Sequence, residues 1–460
     1  MSSTLVSNNV ALTSDLRYSL KPSSVSARQY RVSLIPSNKQ TFSPTDPITL
    51  YIPARRNTFI DTKNSYLRFT INNNNATATA PANSLNCDRS AACVFDRLEI
   101  FHGSNRLESI QQYNVLSCLL LDVQSSVGKL IGADCGLGTG GDAGRLGCAI
   151  NATKRRTFTM PIISGIIGSQ NEKFLNCSMA DDLRVEFTLA NQVQGMVAYT
   201  ATSGTVLNTW TVSGVSLELS VIELSDTGMN MLQQAGISFN DNIYSHISSW
   251  QNYLTSLSTG AVGPQSQLLS SKFASLKALV TLPRRNVDIA NQIAYSTSAR
   301  FCPSFASVNY KIGMSNVPQQ DIELNGSNTG GYAEAWSELM KIFHPLSSTD
   351  CAGAISAAHF NVCDSTSGTG DSNIVTTITT AVDTQAEGAS TAGAAFACGV
   401  DLEQIHRSDV IISGTSTLNS NCFFECYIDT ALTTPYTLSH FALYDGILVL
   451  TPYGQYEIRY

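Results

Sequence analysis

The chain has 460 residues, of which 14% are charged, with 28 Lys and Arg against 35 Asp and Glu and a formal net charge of −7. An ordinary soluble domain carries about 25% charged residues, so this surface suits long polar turns or contact with neighbours, and the acidic balance argues against coating nucleic acid by charge neutralisation. The length exceeds one ordinary core and fits two domains of about 200 residues each, and no apolar window approaches the roughly eighteen residues of a membrane-spanning helix.

Residues 1–29 form a polar arm whose basic groups are Arg17, Lys21 and Arg28. A positively charged start followed by an apolar core is missing from it, so no secretory signal is expected. From Tyr30 the chain breaks into short extended pieces, punctuated by Pro36, Pro44, Pro47 and Pro53, which forbid helix and mark edges or turns. Leu67, Phe69 and Ile71 alternate with Arg68 and Thr70, the pattern of a half-buried strand. A polar insert, Asn72 to Cys87, separates it from a second strand at Phe95 to Phe101. The run Leu107 to Val123 then places Ile110, Tyr113, Leu116 and Leu120 at helical spacing and predicts a helix. After a Gly-rich insert from Gly128 to Gly147, strict alternation returns at Leu183 to Leu189 and at Val215 to Val221, with a Ser/Thr/Gly stretch around Thr200 to Thr209 between them.

The less patterned stretch Ser225 to Gln267 predicts a joining segment, with a short helix before Gly236. Beyond it the same succession recurs: a strand at Phe273 to Leu282, another at Val308 to Ile312, and an amphipathic helix at Tyr332 to Phe343 stopped by Pro345. The segment Cys351 to Gly399, rich in Ser, Thr, Gly and Ala, predicts a long surface excursion. Asp445-Gly446, between Phe441 to Tyr444 and Ile447 to Leu450, predicts a hairpin with a two-residue turn. The copies are offset by roughly 210 to 225 residues, too long for a solenoid repeat, so the repeated unit is a domain. The expected fold is all-β: two tandem jelly-roll sandwiches, each with one inserted helix and long loops. The expected divisions are an arm at 1–29, a first domain at 30–225, a linker at 226–267 and a second domain at 268–460.

Chemical motifs are sparse. Gly136, Gly138 and Gly141 have dinucleotide-loop spacing, but no strand leads in and no helix start follows. A phosphate loop and a nucleophile elbow are both missing. The histidines His102, His246, His344, His359, His406 and His440 are scattered, and Glu334 and Glu338 solubilise a helix more simply than they catalyse. Cys422 and Cys426 lie on one predicted strand, where their sulfurs would stand roughly 13 Å apart, too far for one tetrahedral ion. The twelve cysteines are expected as buried free thiols. Sequons at Asn75, Asn151, Asn176 and Asn325 are attributed to an Asn/Ser/Thr-rich composition. No catalytic, cofactor or metal site is expected, and the protein is expected not to be an enzyme. Concentrated positive charge occurs at Arg55 and Arg56, at Lys154, Arg155 and Arg156, and at Arg284 and Arg285. These are candidate intersubunit contacts, or an inner face meeting an acidic core or lipid headgroups.

Six blocks in order carry a family resemblance: ITLYIPARRNTFIDTKNSYLRFTI (48–71), RLESIQQYNVLSCLLLD (106–122), YSHISSWQNYL (244–254), SSKFASLKALVTLPR (270–284), NYKIGMSNVPQQDIEL with AEAWSELMKIFH (309–344), and ACGVDLEQIHRSDVIISGTSTLNSNCFFECYI (397–428). The chain resembles the double jelly-roll major capsid proteins of the adenovirus-like and nucleocytoplasmic DNA virus lineage, in particular its polinton-like and virophage members. The resemblance implies a homotrimeric capsomer of pseudo-hexagonal outline in an icosahedral shell around double-stranded DNA, located in the virion. It further implies neighbouring capsomers, penton and other minor capsid proteins and cement proteins as partners. Sequence-specific nucleic acid binding is not implied, and an inner membrane is left open. A two-sandwich carbohydrate-binding or adhesive protein, such as a virion fibre or lectin-like module, is the alternative.

Overall fold

The computed structural model describes residues 25–76, 83–88, 90–124, 150–168, 173–178, 182–198, 209–234, 242–292, 296–324, 332–343, 360, 395–404 and 412–459. The first half supplies β1 (Ala27–Leu34), β2 (Thr41–Phe42), β3 (Pro47–Ile52), β4 (Thr58–Asn73), β5 (Leu85–Asn86), β6 (Phe95–His102), β7 (Asn105–Gln111), β8 (Arg155–Pro161), β9 (Leu175–Asn176), β10 (Leu183–Leu189), β11 (Val197–Ala198) and β12 (Trp210–Leu224). One sheet has the order β1-β12-β4-β8 and the facing one β3-β10-β6-β7, while β2 and β9 pair with β12 and β4, and β11 pairs with β5. The second half supplies β13 (Ile243–Leu257), β14 (Gly263–Leu269), β15 (Leu276–Arg285), β16 (Phe305–Ile312), β17 (Ser315–Glu323), β18 (Cys398–Asp401), β19 (Cys422–Ile428), β20 (Tyr436–Leu450) and β21 (Tyr456–Arg459). Its sheets run β13-β20-β15-β18 and β14-β19-β16-β17, with β21 added on β20.

Replacing β1, β3, β4, β6, β7, β8, β10 and β12 by β13 through β20 in turn converts the first pair of sheets into the second. In each copy the first of these strands lies beside the last, which is the jelly-roll arrangement. Helices α1 (Tyr113–Gln124) and α3 (Ala333–Phe343) follow corresponding strands, β7 and β17, and α2 (Asp226–Gln234) follows the first sandwich. The duplication inferred from the pattern of elements is therefore a duplication of topology.

The alternation that predicts the strands also builds the cores. β10 buries Leu183, Val185, Phe187 and Leu189 with partly exposed residues between them. Phe95 meets Phe69 edge-on at 5.0 Å and Phe187 at 5.4 Å, so three aromatic rings bridge the two sheets. In the second sandwich Phe424 plays that part, 5.3 Å from both Tyr310 and His440. Thr281 Oγ1 hydrogen-bonds with the Tyr310 hydroxyl at 2.7 Å and His440 Nδ1 at 2.8 Å. Complete burial pushes the His440 pKa down to about 3, so the ring is a neutral core residue. Eight described cysteines, including Cys422 and Cys426, are buried free thiols.

Several expectations need correction. Leu107 to Gln111 belong to β7, where Ile110 pairs with Leu98, and α1 begins only after Gln112, which takes a left-handed φ of 51°. The spacing of Ile110 and Tyr113 spans a strand-to-helix junction that apolar periodicity alone cannot distinguish from a continuous helix. The predicted linker at 226–267 holds α2, β13 and β14, and the last two open the second sandwich. The predicted turn at Asp445-Gly446 lies inside the unbroken β20, paired with Ser248 and Ile247. There Asp445 is 2% exposed and accepts from Ser248 Oγ at 2.9 Å and Ser275 Oγ at 3.2 Å, with Lys277 Nζ at 3.7 Å. Burial alone would raise its pKa, but hydrogen bonds from His246 and Ser248 and the Lys277 charge together hold it below the ordinary value. These partners satisfy the polar residue in mid-strand, so no turn is needed. The inserts at 128–147 and most of 351–399, with the Gly136, Gly138 and Gly141 spacing, lie outside the described residues.

Removing the Phe69 ring from the aromatic bridge of the first core should leave a void that the two sheets cannot close. Phe69→Ala is expected to cost about 3–5 kcal/mol, read as a lower midpoint in chemical denaturation.

Candidate assembly surfaces and the seam between the sandwiches

Three acidic side chains of the first sandwich are buried where it meets the second. Asp88, before β6, accepts the backbone N–H of Thr297 at 2.8 Å and of Ser298 at 3.1 Å, together with both of their hydroxyls. Asp122, in the last turns of α1, forms an ion pair with Arg300, and both side chains are wholly buried. The Arg300 guanidinium also donates to the carbonyls of Phe396 at 3.2 Å and Ala395 at 3.3 Å. Glu108, on β7, accepts from Ser249 Oγ of β13, from Ser164 Oγ and, at 2.8 Å, from the Gly165 N–H. Burial pushes the Glu108 carboxyl above its ordinary value, against the opposing pull of the Ser164 and Ser249 hydroxyls and the Gly165 N–H. Gly165 is required by proximity, since a Cβ there would lie 2.7 Å from the Ser248 carbonyl oxygen.

Lesser contacts extend the seam at both ends. Ala198 N–H donates to Gln292 O at 2.9 Å, and Gln292 Nε2 donates to Gln192 O at 3.1 Å. At the other end the Tyr456 hydroxyl donates to Asn176 O, and the His102 ring meets Tyr456 edge-on at 5.9 Å. The two sandwiches therefore lie side by side with equivalent ends aligned. One end carries Asn73 at the close of β4, Ala198 and Gln292, and the other carries residue 25, α2 and β21.

The seven basic candidates do not form one surface. Arg55 and Arg56 are exposed just before β4, whereas Arg155 and Arg156 pair with Asn72 and Ile71 at its far end. Sixteen residues of strand separate the two clusters by roughly 50 Å. Lys154 and Arg155 are exposed and Arg156 is half-buried. Arg284 and Arg285 are buried inside the second sandwich. Arg284 donates to Ser296 O at 3.2 Å and Ser439 Oγ at 3.3 Å, and burial lowers its pKa to about 10. Arg285 holds Asp288 through bonds of 2.7 and 3.1 Å and lies 4.2 Å over the Phe301 ring. Arg284 and Arg285 thus act as internal braces.

The seam residues went unmarked in the sequence. Asp122, embedded in the apolar run Leu119 to Val123, was the available signal, because an acid in such a run must find a partner when its helix is buried. At the end carrying residue 25 and β21, Phe174, Met231, Tyr244, Met314 and Tyr453 are more than half accessible, as are Ile35, Leu254 and Val262 elsewhere. No His, Cys, Asp or Glu cluster suited to a metal ion occurs among the described residues, and none of their helices is long and apolar enough to cross a membrane.

No family model matches the sequence, and no curated protein matches it. Solved structures do. PBCV-1 VP54, fitted into a reconstruction of the virophage Sputnik, is similar with a TM-score of 0.61 at 10% identity, over 96% of this chain and 98% of that one. The mavirus major capsid protein gives a TM-score of 0.54 at 10% identity, over 98% and 93%. The Faustovirus major capsid protein gives 0.56 at 9% identity, over 96% and 92%. The similarity at these identities is one of fold, and the fold is the double jelly roll of these capsid proteins.

Two changes test the seam. Arg300→Met strands the buried Asp122 carboxylate and should cost about 3–5 kcal/mol, while Arg300→Met with Asp122→Leu should recover most of it in denaturant titrations. Because the folded-state pKa of Glu108 is raised, its proton-linked stabilisation is complete below the ordinary value of 4.5 and is lost as pH rises through the folded value. The stability of the native chain relative to Glu108→Gln should therefore fall with rising pH above 4.5, and a flat difference would contradict the burial argument.

Proposed function

We propose that this chain is a major capsid protein, a structural subunit that forms homotrimeric capsomers of pseudo-hexagonal outline in the icosahedral shell of a double-stranded DNA virus. The observation that carries this reading is the pair of sandwiches with one strand order, fixed side by side by a buried polar seam. Closed threefold symmetry acting on such a pair generates six similar blocks in a ring, the unit that a hexagonal lattice requires. The fold shared with the PBCV-1, mavirus and Faustovirus proteins supports the same conclusion.

On this reading the protein resides in the virion and acts by assembly, without catalysis. Its partners are its own copies, neighbouring capsomers, and minor capsid, penton and cement proteins. The net charge of −7 disfavours direct packing against the genome. Arg55 and Arg56 at one end, and Lys154, Arg155 and Arg156 at the other, are assigned to separate intersubunit contacts. The sugar-binding alternative would draw on an exposed aromatic platform. Trp210 and Trp250 are 1% exposed, and Trp336 packs against Phe360 at 5.0 Å, so tryptophan does not supply one.

Light scattering on the purified 49.4 kDa chain should give three times the chain mass, or whole shells visible by electron microscopy. A stable monomer retained on a glycan array would overturn the capsid reading.

A further inference from the structure

We propose that residues 1–24 of the same chain seat in the apolar groove at the terminus-bearing end of the seam. The groove has a volume of about 230 Å³ and is lined by Phe59 and Phe174 from the first sandwich, Leu232 from α2, and Ile243, Tyr244 and Leu450 from the second. That is smaller than the roughly 300–1,000 Å³ of a small-molecule site and suits a few aliphatic side chains presented by a peptide. Its walls are incompletely covered, since Phe174 is 56% and Tyr244 58% exposed. Covering these side chains would remove their apolar area from water, which favours an apolar occupant.

The point where the described chain begins identifies the occupant. A Cβ on Gly228 would lie 2.5 Å from Val25 Cγ1, so Val25 rests directly on α2 at that glycine. Leu232, which lines the groove, is four residues further along the same helix and hence on the same face. The residues preceding Val25 thus begin one helical turn from the groove. They carry Leu5, Val6, Leu12, Leu16 and Leu20 at intervals along an otherwise polar stretch. Leu20 is five residues from Val25, a reach of up to about 17 Å. The inference does not depend on the capsid reading, because the groove and its occupant belong to one chain.

Hydrogen exchange with mass spectrometry tests it, comparing the full chain with one lacking residues 1–24 and with full-length Phe174→Asp and Tyr244→Ser. Both substituted positions are largely exposed, so the fold should tolerate them if the truncated chain does not fold. In the full chain, amides at 173–176 and 243–245 should exchange roughly tenfold or more slowly than after truncation, the factor that burying one Leu side chain supplies. Phe174→Asp should in turn speed exchange within 1–24. Equal exchange at the groove with and without the segment, or no response of 1–24 to Phe174→Asp and Tyr244→Ser, overturns the proposal. Groove protection in the full chain that vanishes on dilution assigns the groove to a second copy and overturns it as well.

Discussion

The structure depends most on the burial of acidic side chains between the two sandwiches. A carboxylate removed from water costs several kcal/mol unless donors surround it. Asp88 meets the N–H groups and hydroxyls of Thr297 and Ser298, Asp122 meets Arg300, and Glu108 meets Ser249. Each jelly roll has its own bridge of aromatic rings between its sheets. The polar seam fixes something different, the placement of one sandwich against the other. Hydrophobic contact is nondirectional and would tolerate sliding, whereas these hydrogen bonds are lost within a shift of an ångström or so. A two-block unit of constant shape follows, which the proposed pseudo-hexagonal trimer would require.

Much of the fold was legible because strands with one buried face declare themselves by alternation. Leu183 to Leu189 is a strand over its whole length, and the repeated order of strand, strand and helix in each half anticipated the duplicated topology. Local patterns misled where two structures share one. Leu107 and Ile110 are buried on β7, yet their spacing to Tyr113 and Leu116 is also helical, and only pairing with β6 separates the cases. Asp-Gly favours a turn in isolation, but Ser248, Ser275, Lys277 and His246 make mid-strand burial of Asp445 tolerable. In the segment expected to be a linker, β13 mixes Ser, Gln, Asn and Thr with its apolar residues, which hides a strand flanked by well-partnered neighbours.

The candidate site was less legible for a different reason. The partners in the seam are separated by 209 residues for Asp88 and Thr297, 178 for Asp122 and Arg300, and 141 for Glu108 and Ser249. No local window contains both halves of such a contact. Clusters of like charge stand out in a sequence, but their visibility says nothing about location. Arg55 and Arg56 lie at one end of β4, Arg155 and Arg156 at the other, and Arg284 and Arg285 are consumed in internal contacts. Solitary acids in apolar surroundings, such as Asp122, carried more structural information than the basic runs.

The seam also explains why two copies of one fold do not pair indiscriminately. The first sandwich contributes the carboxylates Asp88, Glu108 and Asp122, and the second contributes their partners Thr297, Ser298, Ser249 and Arg300. Two first sandwiches brought together through this face would bury Asp88 and Asp122 without the donors Thr297, Ser298 and Arg300, and two second sandwiches would bury Arg300 without an acid. Both arrangements carry the penalty of unpaired buried charge. The duplicated domains have thus become complementary halves, with specificity arising as much from the cost of the wrong pairing as from the strength of the right one. Because first and second sandwiches join by this contact within a chain, the contacts between chains that the proposed capsid reading requires would use other faces. The exposed Arg55 and Arg56 and the exposed Lys154 and Arg155 lie outside the seam.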